Sequence, residues 1–262
     1  MKLLFGLTLA CYVVSTLGYQ AYLLFQKRPI YRVSSILLWV GFLCHTGVIL
    51  ARLVETGNLP VQNFQETLSM FGWAVAGVFL ALQIKFHLMV LGALVAPLAT
   101  LAVVIASVLP RQPVEVGSLL KGVWMTFHIG ALLVGNAAFA IACSAGILYL
   151  IQERAIKAKK RGFFFRRLPS LKLLDSMGYS CLIVGFPMLT FGIITGAVYA
   201  QMVGGRFWSW DPKVISAAVT WLVFAALLHE RLAVGWQGRR AAVMSIAGFM
   251  VFVLTFFLRF SG

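Results

Sequence analysis

The chain has 262 residues, of which 61% are hydrophobic and 11% are charged. A soluble domain is about half apolar and about a quarter charged, so this composition, with a mean hydropathy of +0.94, excludes a soluble enzyme and indicates a protein embedded in lipid. The net charge of +15 is typical of membrane proteins with basic cytoplasmic loops, and we expect no nucleic-acid binding. The four cysteines are scattered singly, so the sequence predicts neither a metal–thiolate nor a dithiol site.

Apolar runs separated by charged breaks predict an all-α fold, a polytopic transmembrane helix bundle of about eight spans. The predicted spans are 3–25, 34–53, 64–84, 88–109, 122–151, 176–202, 214–230 and 241–259. The first apolar run is about as long as a full span and exceeds the core of a signal peptide, so we expect a retained anchor. We expect one integral membrane domain over residues 1–262.

Positive charges predict the orientation of the bundle. Fifteen of the 22 Lys and Arg residues fall on one side of the predicted spans, and the excess of positive charge makes that side cytoplasmic. Both termini and the loop at 204–213 are then outside, and the polar stretch 152–175 is a basic cytoplasmic loop. Its segment Arg154–Lys172 interleaves cations with phenylalanines, which indicates an ordinary basic loop, the interpretation we prefer, or an interfacial helix that contacts membrane lipid.

Ionisable residues inside the predicted spans are candidate functional groups, because they are costly in a membrane. His45 lies near mid-membrane, where it could bind a ligand or hydrogen-bond to another helix. His128 lies near the outer end of the fifth helix, and His229 lies near the cytoplasmic end of the seventh, where a solvated position is the alternative. Glu66 is a further candidate, and His87 is expected to be interfacial without a role. Neutral imidazoles can bind haem iron, although the sequence does not show which histidines face one another.

The outer loop GGRFWSWDPK, residues 204–213, is a second candidate. Its rings, Phe207, Trp208 and Trp210, could form an ordinary aromatic belt at the membrane interface. The accompanying glycines, the proline and Asp211 favour a shaped platform instead. A flat aromatic surface would suit a large planar ligand such as a porphyrin.

This loop and its surroundings resemble one known family. The residues WSWDPK, followed by TWLVFAALLHER, GWQGRRAA and SIAGFMVFVLTFF, are similar to the tryptophan-rich signature of the CcsA/ResC cytochrome c assembly family. The stretches LPSLKLLDSMGYSCLIVGFPMLTFGIITGAVYA and PVQNFQETLSMFGW resemble the segments that precede it. The resemblance extends from about His45 onward.

The resemblance implies a protein of the bacterial inner membrane that binds haem b and presents it at the outer face for attachment to apocytochrome c. It also implies a ResB/CcsB-like membrane subunit as partner, and it leaves open whether the chain is part of a haem lyase complex. The histidines that match the family's membrane-embedded pair and outer ligand are His45 with His229, and His128. The residues that match its haem-cradling loop are Phe207, Trp208, Trp210 and Asp211.

Two differences from the family pattern leave alternatives open. Members carry a further outer histidine after the last helix, for which the stretch ending at Gly262 has no counterpart. The loop region is also altered, since Gly204-Gly205 stands where Trp-Gly is usual and Val214 replaces an expected Glu. The outer haem is then held by one ligand, by one borrowed from a partner, or is not attached here. The missing histidine favours a HemX-like regulator of tetrapyrrole synthesis as the alternative. A secondary transporter of another solute is the third hypothesis, although no internal repeat supports it.

Overall fold

The computed structural model describes residues 2–86, 89–110, 123–159 and 162–258, and no strand is present within these ranges. The predicted all-α fold is confirmed. The helices in the described residues are α1 Lys2–Phe25, α2 Arg28–Thr56, α3 Phe64–Phe86, α4 Gly92–Val108, α5 Val123–Lys157, α6 Phe163–Arg167, α7 Leu171–Gly204, α8 Pro212–Leu232 and α9 Arg239–Leu258. His87 and the predicted span ends at 88, 122 and 259 lie outside the described residues.

Seven of these helices are long and apolar enough to cross a membrane, which confirms the predicted polytopic bundle. The fourth predicted span is shorter than expected, because α4 has 17 residues and contains Pro97. Such a helix is about 25 Å long, at the lower limit for crossing the hydrocarbon core of a bilayer.

The chain forms two compact units, Met1–Gly122 and Val123–Gly262. In the first unit α1 packs along α2 and α4, and α3 packs along α4. Polar side chains link these helices: Ser35 donates to Gln83, which in turn donates to the hydroxyl of Tyr19 at 3.0 Å. The single domain expected over residues 1–262 stays a prediction.

The central helix of the second unit is α5, which packs along α7 and α9. Small residues allow α5 and α7 to approach closely, since a Cβ added at Gly135 would lie 3.0 Å from the carbonyl oxygen of Gly185. The rings of Phe139 in α5 and Phe224 in α8 stack with their centroids 3.5 Å apart. The aromatic stack and the glycine contact together place α5 at the core of this unit.

Helices α5 and α7 extend into the two ends of the basic stretch expected at 152–175. Helix α5 continues to Lys157, and α7 begins after Ser170, whose hydroxyl accepts the backbone N–H of Leu173. Between them α6 has five residues, and the guanidinium of Arg167 lies 3.8 Å from the ring centroid of Phe163. Among the described cations of this stretch, those in the first or last turn of a helix are Arg154, Lys157, Arg166, Arg167 and Lys172.

Candidate functional site

The first unit contains a cavity of about 550 Å³, called here the His45 cavity, which is lined by residues of α2, α3 and the end of α4. Cavities of this size commonly hold small molecules and cofactors. Its wall includes His45 and Arg52 of α2 and Glu66 and Ser69 of α3. Seven residues separate His45 from Arg52, which places them on one face of α2 about 10 Å apart along the axis. Polar groups from two helices therefore converge on one cavity.

His45 is the most deeply enclosed of these side chains, with 1% of its surface exposed. The rings of Phe5 and Tyr12 in α1 pack edge-on against it, with centroids 6.3 and 5.9 Å away. Its Nε2 lies 3.1 Å from the hydroxyl of Ser69, which is the helix–helix hydrogen bond that the sequence allowed.

The other ring nitrogen of His45, Nδ1, is buried and has no hydrogen-bonding partner among the described residues. The Ser69 hydroxyl can donate or accept, so when Nε2 carries the proton, Nδ1 carries the lone pair. A buried polar atom without a partner destabilises the fold, and an iron atom that took this lone pair would satisfy it. The imidazole therefore fits the role of a haem ligand.

Arg52 and Glu66 form an ion pair at the exposed end of the His45 cavity. Arg52 Nη2 lies 3.2 Å from Glu66 Oε1, and the two side chains are 40% and 15% exposed. Glu66 also accepts the backbone N–H of Gln62 at 3.2 Å, and its own N–H donates to Asn63 Oδ1 at 2.8 Å. These bonds satisfy backbone groups at the start of α3. The sequence analysis selected Glu66 but not Arg52. The position of Arg52, two turns after His45 on the same face of α2, could have identified it.

His128 lies at the start of α5 in the second unit, against α7. Its Nδ1 lies 2.8 Å from the carbonyl oxygen of Gly192 and 3.1 Å from the hydroxyl of Thr195. Because a carbonyl can only accept, Nδ1 carries the proton and Nε2 carries the lone pair. Gly196 leaves space for the ring, since a Cβ there would lie 2.7 Å from its Cε1. A backbone carbonyl orients metal-binding imidazoles in the same way.

The tryptophan-rich loop joins α7 to α8 through two defined helix ends. Helix α7 ends at Gly204, and the next residue, Gly205, has a left-handed φ of 65° and donates its N–H to the carbonyl of Gln201. Such a glycine commonly terminates a helix. The carbonyl of Asp211 accepts the N–H groups of Val214 and Ile215 at 2.9 and 3.1 Å, and a proline follows Asp211 as the first residue of α8. Asp211 therefore begins α8.

Between these ends the aromatic rings are exposed. Phe207, Trp208 and Trp210 are 62%, 49% and 81% exposed. The rings of Trp208 and Trp210 meet at 87° with centroids 5.9 Å apart, so they form an edge-to-face pair and not one flat surface. The loop and His128 lie at the same end of the second unit, because α5 begins where α7 ends.

His229 is exposed in the last turn of α8. Two residues later Arg231, whose side chain is 7% exposed, donates to both carboxylate oxygens of Asp175, at 2.7 and 3.1 Å. Sequence reasoning missed this pair, although an acid at the start of one apolar helix and a base at the end of the next are a signal for it. His229 belongs to the second unit and His45 to the first, so their pairing around one haem stays a prediction.

Comparison with known protein families shows which family the chain belongs to. The family described as cytochrome C assembly protein matches residues 33–262. The chain belongs to the cytochrome c assembly family. The family expected from the sequence is therefore confirmed.

Several curated relatives carry the name cytochrome c biogenesis protein CcsA. The one from Guillardia theta is 31% identical over 94% of this chain and 88% of the relative. The one from Synechococcus sp. (strain CC9902) is 32% identical over 93% of this chain and 92% of the relative. This member of the cytochrome c assembly family is thus similar to these relatives over nearly their whole length.

The fold of this family member is also similar to a solved structure, that of the cytochrome c heme lyase CcmF. The TM-score is 0.65 at 15% sequence identity, and the match covers 99% of this chain. The chain spans about half the length of that protein, 49%. At this identity the likeness concerns the fold alone.

Proposed function

We propose that this chain binds haem b in the bacterial plasma membrane and presents it at the outer face for attachment to apocytochrome c. The observation that carries the proposal is His45, which is buried on the wall of a cavity of about 550 Å³ and has one ring nitrogen without a partner among the described residues, in a chain of the cytochrome c assembly family. The relatives named for cytochrome c biogenesis support the same role. The basic side of the helices supports an outer position for the tryptophan-rich loop.

The histidines would hold the haem by binding its iron. His45 and His229 would be the ligands within the membrane, and His128 the ligand at the outer face, with its Nε2 lone pair directed by the Gly192 carbonyl. When bound, haem supplies the iron for these bonds and the vinyl groups that join to cysteine thiols. The protein contributes binding, orientation and exclusion of water.

The outer site would consist of His128 and the tryptophan-rich loop. Phe207, Trp208 and Trp210 offer exposed rings for a porphyrin face, and Asp211 fixes the start of α8 beside them. We propose that a ResB/CcsB-like subunit and apocytochrome c meet the chain at this face. The chain then acts as one component of a haem lyase complex, and the thiols come from the apocytochrome.

The absorption spectrum of the purified protein tests the proposal. The wild type and the His45→Ala, His128→Ala and His229→Ala variants are purified in detergent from haem-replete cells. Ser180→Ala, at a half-buried serine whose hydroxyl donates to the carbonyl of Ser176 within α7, is the control. We expect a Soret band with bis-imidazole visible bands that weaken in the His45 and His229 variants. The His128 variant should lose a separate fraction of the absorbance, and Ser180→Ala should match the wild type.

Two outcomes would contradict the proposal in different ways. A colourless wild type that takes up no added haem refutes haem binding, and movement of another solute by that protein would establish the transporter hypothesis. Haem binding in cells whose c-type cytochromes survive deletion of the gene would refute presentation to apocytochrome c. That result, with altered tetrapyrrole levels, would establish the HemX-like regulator.

A further inference from the structure

The His45 cavity changes character along α2. At one end His45 is almost completely buried among aromatic rings, and Val48, Ile49 and Met70 contribute apolar wall next to it. At the other end Arg52 is 40% exposed. A ligand that fills the cavity would therefore meet an apolar, metal-binding end and a cationic, solvent-accessible end.

Arg52, the cation at the exposed end, makes few contacts with the described residues. The guanidinium of Arg52 donates one hydrogen bond to a side chain among the described residues, from Nη2 to Glu66 Oε1 at 3.2 Å. A guanidinium has five N–H donors in a planar fork, and partly exposed ion pairs of this kind contribute little to stability. Most of the hydrogen-bonding capacity of Arg52 is therefore available to a ligand.

Glu66 does not depend on Arg52 for its other contacts. Its Oε2 accepts the N–H of Gln62, and its own N–H donates to Asn63. If the guanidinium turned away, the Glu66 carboxylate would keep one hydrogen bond and some contact with water, because its side chain is 15% exposed. Exchange of Arg52 from Glu66 to another anion therefore leaves the start of α3 intact.

We infer that Arg52 binds a carboxylate of the molecule that occupies the His45 cavity, in exchange for Glu66. The inference rests on the proposed function, which supplies a planar ligand with a metal at its centre and propionate groups along one edge. The apolar edge then lies against the buried wall near His45, and the acidic edge lies at Arg52. Arginine suits this position because its fork matches a carboxylate in two parallel hydrogen bonds.

Metal-free protoporphyrin IX and its dimethyl ester separate this contact from axial ligation. Neither contains iron, and they differ only in the two carboxylates. Both are titrated into the detergent-solubilised full chain, and binding is followed by quenching of tryptophan emission. We expect the free acid to bind the wild type about tenfold more tightly than the ester, because one hydrogen bond to a charged group lowers the Kd by about tenfold or more.

Variants at the ion pair assign the difference to Arg52. Arg52→Gln should weaken binding of the free acid about tenfold and leave the ester unchanged, while Arg52→Lys should retain part of the preference. Glu66→Gln releases Arg52 and should bind the acid at least as tightly as the wild type. Arg32→Gln is the matched control, because Arg32 is an exposed arginine of the same helix outside the cavity wall.

Binding of haem itself distinguishes a failure of the Arg52 contact from a failure of the proposed function. If the wild type binds haem but shows no preference for the acid over the ester, or if Arg52→Gln weakens both equally, the role of Arg52 is refuted and the proposed function stands. If the wild type binds neither haem nor the porphyrins, the proposed function fails and this inference fails with it. The acid–ester preference of the wild type needs no variant, so a misfolded Arg52→Gln protein would not prevent the test.

Discussion

Replacing Asp175 by alanine tests whether a buried ion pair holds the second unit together. The Asp175 carboxylate accepts two hydrogen bonds from Arg231, at 3.1 and 2.7 Å, and one from the backbone N–H of Gly238, at 2.8 Å. These bonds join the start of α7, the end of α8 and the turn before α9. The Arg231 side chain is 7% exposed, so Asp175→Ala leaves a buried guanidinium without its counter-ion. Breaking a buried pair in this way costs about 3–5 kcal/mol.

An exposed ion pair of the same unit provides the comparison. Lys157 and Glu153 lie one helical turn apart with 2.6 Å between Nζ and Oε1, and the lysine side chain is 64% exposed. Such pairs contribute about 0.3–0.5 kcal/mol. We therefore expect Lys157→Ala to have little effect, although its ion pair is as short as that of Asp175.

Thermal unfolding in detergent, followed with a thiol-reactive fluorescent dye, measures both variants. Three of the four free cysteines are buried, so the dye reports their exposure as the helices separate. At about 2–4 °C per kcal/mol, the Tm should fall by about 6–20 °C for Asp175→Ala and by about 2 °C or less for Lys157→Ala. Similar shifts in the two variants would refute the reasoning. A double Asp175→Leu, Arg231→Met variant should recover part of the loss, because it leaves no buried charge.

Substitutions at four glycines, one of them a control, test the close contacts and the loop. Gly72→Ala should lower the free energy of unfolding by about 1–3 kcal/mol, because the added Cβ would lie 2.7 Å from a side-chain carbon and 2.9 Å from a carbonyl oxygen of α4. Gly6→Ala is the control and should not destabilise the protein, because nothing lies within 4 Å of its added Cβ. Equal Tm values for the two variants would contradict this prediction. Gly196→Ala should displace the His128 ring and lower the Tm. In a His128→Ala background, Gly196→Ala should lower the Tm much less, because the ring that it contacts is absent. An equal decrease in Tm in both backgrounds would exclude the contact. Gly205→Ala should cost about 1–2 kcal/mol, because its left-handed φ is unfavourable for alanine; a Tm equal to the wild type would show that the turn adopts another conformation.

Hydropathy located the helices well but not their ends. Helix α3 was predicted at 64–84 and extends over Phe64–Phe86, whereas α5 and α7, predicted at 122–151 and 176–202, extend over Val123–Lys157 and Leu171–Gly204. Hydropathy measures the preference for lipid, while glutamate, glutamine and lysine are good helix formers in water. The helices therefore continue after the apolar runs have ended, and this shortened the loop expected at 152–175.

The candidate site depended on information that a linear pattern does not contain. The depth of His45 in α2 could be counted from the sequence, and the structure buries it. Its contact with Ser69, the contact of His128 with Gly192, and the division at residues 122 and 123 all depend on how helices rotate and pack against one another. Nothing in the hydropathy of a single span specifies that rotation, so the candidate residues could be predicted but their partners could not.

The boundaries of the tryptophan-rich loop have a consequence for how this surface can change. The loop is enclosed by the helix end at Gly205 and the helix start at Asp211, and its rings are exposed and not part of the core. Substitutions at Phe207, Trp208 or Trp210 therefore alter the proposed binding surface without removing buried contacts between the helices. Stability and ligand preference can vary independently here, so a library randomised at these three positions should consist mostly of folded proteins.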